Sequence, residues 1–283
     1  MTQREEKVFE PTSEDCIRTY FNRLGLPVPS DPPVCSRALL DKLQYAHVTQ
    51  IPYENLDILD GIDLPMTFEG QFRKMIIRQR GGYCFELNGV FAGLLKALGY
   101  RITTYMSRYL RGEKTIPMRR HRVIRAECDD GVFICDVGVG QKAPRFPLAL
   151  IPDLVQEQWG ETYKITREPF FGWVIYDLHE NQWRRFYSFT EEEQLDIDFV
   201  MPSFYCEKSP DSVFNKGLML SIKTKEGRKT IDNNLFRIFT PSGVNEKVIT
   251  SPEQLADLFK HFNLERPTID QARSWLSFGQ SVR

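Results

Sequence analysis

Arg80-Gly81-Gly82-Tyr83-Cys84-Phe85-Glu86-Leu87-Asn88 is the stretch from which the rest of the chain can be read. Two successive glycines let a backbone turn tightly and approach a ligand with no Cβ in the way. The residues after Cys84 have a helical period: Leu87, Val90, Phe91, Leu94, Leu95 and Leu98 recur at i, i+3, i+4, i+7, i+8 and i+11, and Gly99 stands at the C′ position. Cys84 therefore falls in or next to the first turn of a buried helix. There, free N–H groups and the macrodipole favour an anion and ease loss of the thiol proton. A free cysteine is also an ordinary small buried hydrophobe, so a nucleophilic reading needs partners elsewhere in the chain.

The chain of 283 residues is 41% hydrophobic and 27% charged, an ordinary globular composition with room for two or three subdomains. Its net charge of -1 supplies no basic field for nucleic acid, and no uninterrupted apolar run reaches membrane-spanning length. The opening MTQREEKVFEP lacks the apolar stretch of a signal peptide. Cys16, Cys35, Cys84, Cys128, Cys135 and Cys206 are scattered with no C-x-x-C pair. This spacing argues against a metal site and a disulfide framework, and for the cytoplasm.

From Pro11 to about Gly99 the pattern is mainly helical. Thr12 or Ser13 caps a helix with the stripe Ile17, Tyr20, Phe21 and Leu24, ended by Gly25; a loop with Pro27, Pro29, Pro32 and Pro33 comes next. Leu39, Leu40, Leu43 and Ala46 mark a second helix ending near His47, and Phe72, Met75 and Ile76 a short one before the Cys84 turn. Beyond Tyr100 the period becomes two. Strands are expected through Thr103 to Arg108, in HRVIRAEC from His121, in VFICDVGVG from Val132, and at Thr162 to Arg167, Gly172 to Leu178 and Gln182 to Phe189. Pro202 to Asp211 reads as a loop, Leu218 to Lys223 and Phe236 to Thr240 as strands around a Lys225-Glu226-Gly227 turn. One more helix follows, with Ser251 as N-cap, Pro252 at N1 and Gln254 at N3.

A nucleophilic cysteine needs a base, and the base needs a group to orient it. Of four histidines, His47, His179 and His261 have bland places: a helix end, a polar turn and a helix C-terminus. His121 opens a strand whose hairpin partner carries Asp136 inside an apolar run, where an unpartnered carboxylate is costly. A two-residue loop at Asp129-Asp130 makes the two diagonal neighbours, roughly 7–8 Å apart at the backbone; one at Asp130-Gly131 also keeps them on one face, and a three-residue loop separates them. Gly138-Val139-Gly140 allows close approach of a cofactor to backbone N–H groups, or is simply a tight strand exit. Arg119, Arg120 and Arg122 flank His121 as either phosphate ligands or a solvated basic loop.

Taken together, these residues resemble the arylamine N-acetyltransferase family. Arg80, Gly81, Gly82, Cys84, Glu86 and Asn88 match its RGG-x-C-x-E-x-N motif, and His121 and Asp136 match its triad partners, the latter leading Asp136-Val137-Gly138-Val139-Gly140. Pro52-Tyr53-Glu54-Asn55 matches its P-F-E-N element with tyrosine for phenylalanine. The clear likeness spans about His47 to Gly140. It implies an α+β multidomain fold with a Cys-His-Asp core like that of cysteine proteases: an N-terminal helical bundle over 1–99, a central antiparallel β-barrel over 100–205 and a C-terminal α/β lid over 206–283. It also implies acetyl transfer from acetyl-CoA, as co-substrate, to an arylamine or hydrazine, in the setting of xenobiotic metabolism. Cys84 is then acetylated, His121 moves protons and Asp136 orients His121, while Glu54 and Arg80 pair to brace the site. Gly138, Val139 and Gly140 are the cofactor-binding candidates, and Tyr53 and Val139 the substrate-binding ones. In many relatives the position of Val139 is a phenylalanine lining the acceptor pocket.

Two other functions fit parts of the pattern. An amide synthase or other acyltransferase would use the same triad with a different acceptor pocket. A catalytically silent binder of aromatic ligands would keep the fold with a broken triad, whereas all three members are present here. A cysteine peptidase is disfavoured, since the papain-like C-G-S-C-W signature is absent.

Overall fold

A computed structural model describes residues 13–29 and 33–278; Thr12, Pro32 and the C-terminal residues 279–283 lie outside the described residues. The first third is helical. Helix α1 (Glu14–Arg23) is capped by the Ser13 side chain, and α2 (Arg37–Gln50) by Ser36. The second helix runs three residues past His47. After the two-residue strand β1 (Tyr53–Glu54) come α3 (Leu56–Leu59) and α4 (Phe68–Phe72), which continues as a π-turn over Arg73–Ile77. Helix α5 (Cys84–Ala97) is central: every residue from Cys84 to Ala92 is buried. Its apolar side chains join Tyr20, Phe21, Leu40, Leu43, Phe72 and Met75 in one core with Ile124, Phe133 and Cys135 of the neighbouring sheet.

That sheet has eight strands, all paired antiparallel, in the order β5-β4-β3-β2-β9-β8-β7-β6. The strands are β2 (Arg101–Tyr109), β3 (His121–Cys128), β4 (Gly131–Cys135), β5 (Leu148–Ala149), β6 (Gln156–Gln158), β7 (Glu161–Glu168), β8 (Gly172–His179) and β9 (Gln182–Glu193). It curls into a nearly closed barrel. An open sheet leaves edge N–H and C=O groups without partners, and here two side-chain amides supply them. Gln156 exchanges both hydrogen bonds with the Ala149 backbone (2.7 and 3.1 Å), and Gln158 does the same with Phe146 (3.0 and 2.8 Å). Val123, Ile134, Ile165, Ile175, Phe186 and Tyr187 fill the interior.

The last third departs from the sequence reading in several places. Pro202 to Asp211, expected as a loop, is largely α6 (Val200–Lys208). Pro202 occupies the third helical position, where its missing N–H has no intrahelical acceptor to serve. The Lys225-Glu226-Gly227 turn leads from β10 (Met219–Lys223) into an unexpected strand, β11 (Arg228–Asp232), ahead of β12 (Leu235–Thr240). A further strand, β13 (Gly243–Val248), is exposed along its whole length and so carries no apolar alternation to read. These four strands, with β1 on the free edge of β10, form the second sheet. Helix α7 (Pro252–Leu258) has the expected Ser251 cap, and α8 (Ile269–Phe278) comes after it. Trp275 of α8 stacks on Phe259 at 5.5 Å and donates from Nε1 to Asp60 at 2.6 Å, tying the end of the chain to α3. Among the described residues, no helix is long and apolar enough to cross a membrane.

Candidate active site

The glycine turn is tight because of the chain's own backbone. A Cβ on Gly81 would sit 2.4 Å from the Pro52 carbonyl oxygen, and Glu54 donates its N–H to the Gly82 carbonyl at 2.8 Å. Strand β1 thus runs against the turn, in the place where the sequence reading put a ligand. Tyr83 donates its N–H to Glu86 Oε2 at 3.1 Å, closing the first turn of α5 around Cys84. Beneath lies a chain of alternating charge: Glu54–Arg80 at 3.0 Å, Arg80–Asp57 at 2.7 Å, Asp57–Lys74 at 2.8 Å and Lys74–Glu86 at 2.8 Å. The Glu54–Arg80 pair is there as the resemblance implied, inside a larger network that sequence separation concealed. Burial pushes the Glu86 carboxyl up to about 7, with Lys74 pulling it back. Burial also works against the Lys74 ammonium, but Glu86, Glu54 and Asp57 hold it above the ordinary lysine range.

The β3–β4 hairpin takes the Asp129-Asp130 loop: Cys128 faces Gly131, and the register runs to Ile124 opposite Cys135. Asp136 then continues opposite Val123, one diagonal step from His121. The side chains meet, with His121 Nε2 and Asp136 Oδ2 2.6 Å apart. Asp136 Oδ1 accepts from Asn88 Nδ2 and from the Gly138 N–H, both at 2.9 Å. Asn88 also donates to the Arg122 carbonyl (2.6 Å) and accepts from the Val137 N–H (2.9 Å). One asparagine on α5 therefore fixes both strands that carry the pair. The buried Tyr187 ring meets the His121 ring edge-on at 5.6 Å.

Cys84 Sγ is directed at the Arg120 carbonyl oxygen, 3.8 Å away, and shares a cavity wall with His121. The electrostatics differ from the sequence expectation of a readily ionised thiol. Burial, with the charges of Cys206 and Asp136, pushes the Cys84 thiol well above the ordinary range, and the opposing Phe85 N–H at the helix N-terminus is outweighed. A thiolate alone is unfavourable at this depth.

The cavity encloses about 300 Å³. Tyr53, Gly138, Val139 and Gly140 line it beside Cys84 and His121. Gly138 is small for a local reason: a Cβ there would lie 2.8 Å from both the Cys84 Cα and Asn88 Nδ2. Gly140 has φ +80, a conformation that favours glycine, while a Cβ there would meet the Tyr53 ring at an ordinary 3.7 Å. Of the three arginines around His121, only Arg120 reaches the cavity; Arg122 is buried against Asp196 and over the Phe199 ring, and Arg119 pairs outward with Glu192. The sequence reading missed the opposite wall, Val213, Phe214, Met219, Ser221, Thr230 and Asp232. Met219 and Ser221 lie on the strand expected over Leu218 to Lys223, Val213 and Phe214 on a short turn between it and the segment read as loop, and Thr230 and Asp232 on an unassigned strand; no motif marks them. Tyr109 and Glu113, from β2 and its loop, complete the mouth.

The remaining histidines stay outside. His47 is buried with Nδ1 3.1 Å from Tyr20 Oη, and burial, aided by Arg23, lowers it to about 3, so it stays neutral. His261 stacks on Phe236. No cluster of three or more His, Cys, Asp or Glu among the described residues is placed to hold a metal ion.

A family model described as N-acetyltransferase matches residues 38–268. The chain is 34% identical over 191 residues to an arylamine N-acetyltransferase of Escherichia coli (strain K12), covering 67% of this chain and 68% of that one. The solved structure of arylamine N-acetyltransferase from Salmonella typhimurium superposes with a TM-score of 0.86 at 26% identity, over 93% of this chain and 98% of that one. The Mycobacterium marinum arylamine N-acetyltransferase in complex with CoA gives a TM-score of 0.84 at 25% identity, over 92% and 98%. With the matched span covering most of the chain and these solved structures superposing over more than nine-tenths of it, this protein belongs to the arylamine N-acetyltransferase family of acyltransferases.

Proposed function

We propose that the protein transfers an acetyl group from acetyl-CoA to an arylamine or hydrazine by double displacement, with the acetyl group held in between on Cys84. The observation that carries this reading is one cavity wall bearing Cys84, on the first turn of α5, beside a histidine held 2.6 Å from a buried carboxylate. With Nε2–H donated to Asp136, His121 has Nδ1 as its basic atom. Because burial disfavours a lone thiolate at Cys84, the thiol proton moves to His121 as sulfur attacks. The charges then form as a pair, and Asp136 steadies the imidazolium. Sγ bonds to the thioester carbonyl carbon, the carbon–sulfur bond to CoA breaks, and the CoA sulfur leaves with the proton from His121. In the second half the amine nitrogen attacks the acetyl carbon, Cys84 leaves as thiolate, and the amine proton returns to it through His121.

Supporting this reading are a family whose relatives are named arylamine N-acetyltransferase and a superposing structure holding CoA. Gly138, Val139 and Gly140 would lie against the thiol arm of the donor, and Tyr53 and Val139 against the acceptor ring. All six cysteines are free thiols, which suits a reducing cytoplasm. The test is incubation with acetyl-CoA and no acceptor, then peptide mass mapping. One acetyl group on Cys84, lost in Cys84→Ala with the fold retained, is the expected result. Acetylation of Cys16, Cys35, Cys128, Cys135 or Cys206 with Cys84 untouched would overturn the assignment.

A further inference from the structure

The wall of the cavity formed by the second sheet continues past the reacting atoms. Ser221 and Thr230 face each other across β10 and β11 and line the cavity. Two residues further along a strand the side chains return to the same face, and there the facing pair is Lys223 and Arg228. The 3-10 turn Gly140–Lys142 begins with the cavity residues Gly140 and Gln141 and ends on Lys142. Arg228 Nε donates to Gln141 Oε1 at 3.2 Å, so this arginine is moored to the cavity rim. Its guanidinium lies 3.6 Å over the Phe239 ring.

Positive charge is in surplus here. Glu161 is shared by Lys223, at 2.6 and 2.9 Å, and by Arg145; Asp177 takes Arg111. Lys142 and Arg228 form no ion pair with a carboxylate among the described residues; Lys142 lies within electrostatic reach of Arg228 and Arg111 and, more weakly, of Glu161 and Asp177, both already engaged by other cations. The Lys142 ammonium is pushed down by burial and then by those two guanidinium groups, and Lys223 is lowered to about 8, first by burial. Cations gathered at a cavity rim against their own repulsion form a place for a multiply charged anion. Lysine and arginine are the side chains that hold phosphate best.

We propose that Lys142 and Arg228 bind the phosphate groups of the acyl donor, placing its phosphorylated end on this cluster while its thioester end reaches Cys84. The inference rests on acetyl-CoA being the donor. Its test is equilibrium calorimetry with CoA and with pantetheine, which carries the same thiol arm without phosphate, on the full chain and on Lys142→Met and Arg228→Gln. Arg184→Gln, on an exposed arginine paired only with Glu180, is the charge control. Wild type should prefer CoA, and its CoA affinity should weaken with added salt more steeply than its pantetheine affinity. Each cluster variant should lower the preference about tenfold, a typical loss for one charged contact, and the control should keep it. Unchanged preference in both variants, or equal salt dependence of the two ligands on the wild type, would overturn the proposal. Acetylation of Cys84 alongside unchanged CoA affinity in the variants removes this site and leaves the catalytic reading standing. The converse, weakened CoA binding with no acetylation of Cys84, removes the catalytic reading and leaves the site.

Discussion

Lys74 sits in the π-turn below Cys84 and is the single cation shared by Asp57 and Glu86, each 2.8 Å away. Lys74→Met keeps the length and apolar stem of the side chain and removes the charge. Asp57 keeps Arg80 at 2.7 Å, but Glu86 keeps only the Tyr83 N–H. Glu86 is fully buried, so its carboxylate becomes an uncompensated buried charge, which costs about 3–5 kcal/mol. The cost must depend on pH. The Glu86 carboxyl already sits at about 7, above the ordinary 4.5. A group raised in the folded state contributes stability that is full below its unfolded value and lost as pH rises through its folded value. Removing Lys74 raises Glu86 further, so the variant should lose most near pH ~8 and appreciably less near pH ~5. Urea unfolding monitored by tryptophan fluorescence at both pH values measures this directly. The double variant Lys74→Met/Glu86→Gln removes the stranded charge while its amide oxygen still accepts from Tyr83; it should recover half of the loss or more. A cost below about 1 kcal/mol, a cost flat in pH, or a double variant no better than the single would each refute the account.

Two further substitutions probe the site itself. Gly138→Ala puts a Cβ 2.8 Å from the Cys84 Cα and Asn88 Nδ2; overpacking of this kind costs about 1–3 kcal/mol, and on the proposed mechanism separation of Cys84 from the His121–Asp136 pair should slow the acetylation burst at least about 100-fold. A burst of wild-type size with only a lower melting temperature would show that Gly138 serves packing alone. Val139→Phe adds a ring to the cavity wall, worth roughly 0.5–1.5 kcal/mol of stacking on a flat acceptor. It should shift preference toward simple arylamines in acceptor-dependent turnover and leave the acetylation burst nearly unchanged. A slowed burst with the same acceptor profile would place Val139 against the donor or the core.

How much was legible in the sequence depends on the range of the forces involved. The turn at Gly81-Gly82, the helix from Cys84, the Ser13 and Ser251 caps, and the strand beginning at His121 were readable because helical period, capping chemistry and alternation act within a few residues. So was the likeness carried by Cys84, His121 and Asp136, since motif residues keep their order whatever the distance between them. The sequence did not show which of three hairpin loops joins β3 to β4; one residue's difference turns a whole face over, and packing of Asn88 against Asp136 and Val137 accompanies the observed register. It also did not show the Lys74 network, the glutamine closure of the barrel or α6. Asp57 and Lys74, which belong to no motif, look like ordinary surface charges until tertiary contacts take them out of water. The thiol of Cys84 shows the same division. The helix dipole is written locally and argued for easy ionisation, whereas burial among Tyr83, Phe85 and Cys206 is decided by the assembled fold and pushes the other way. Local chemistry named the residues, and desolvation, which depends on everything packed around them, set the charge states they hold.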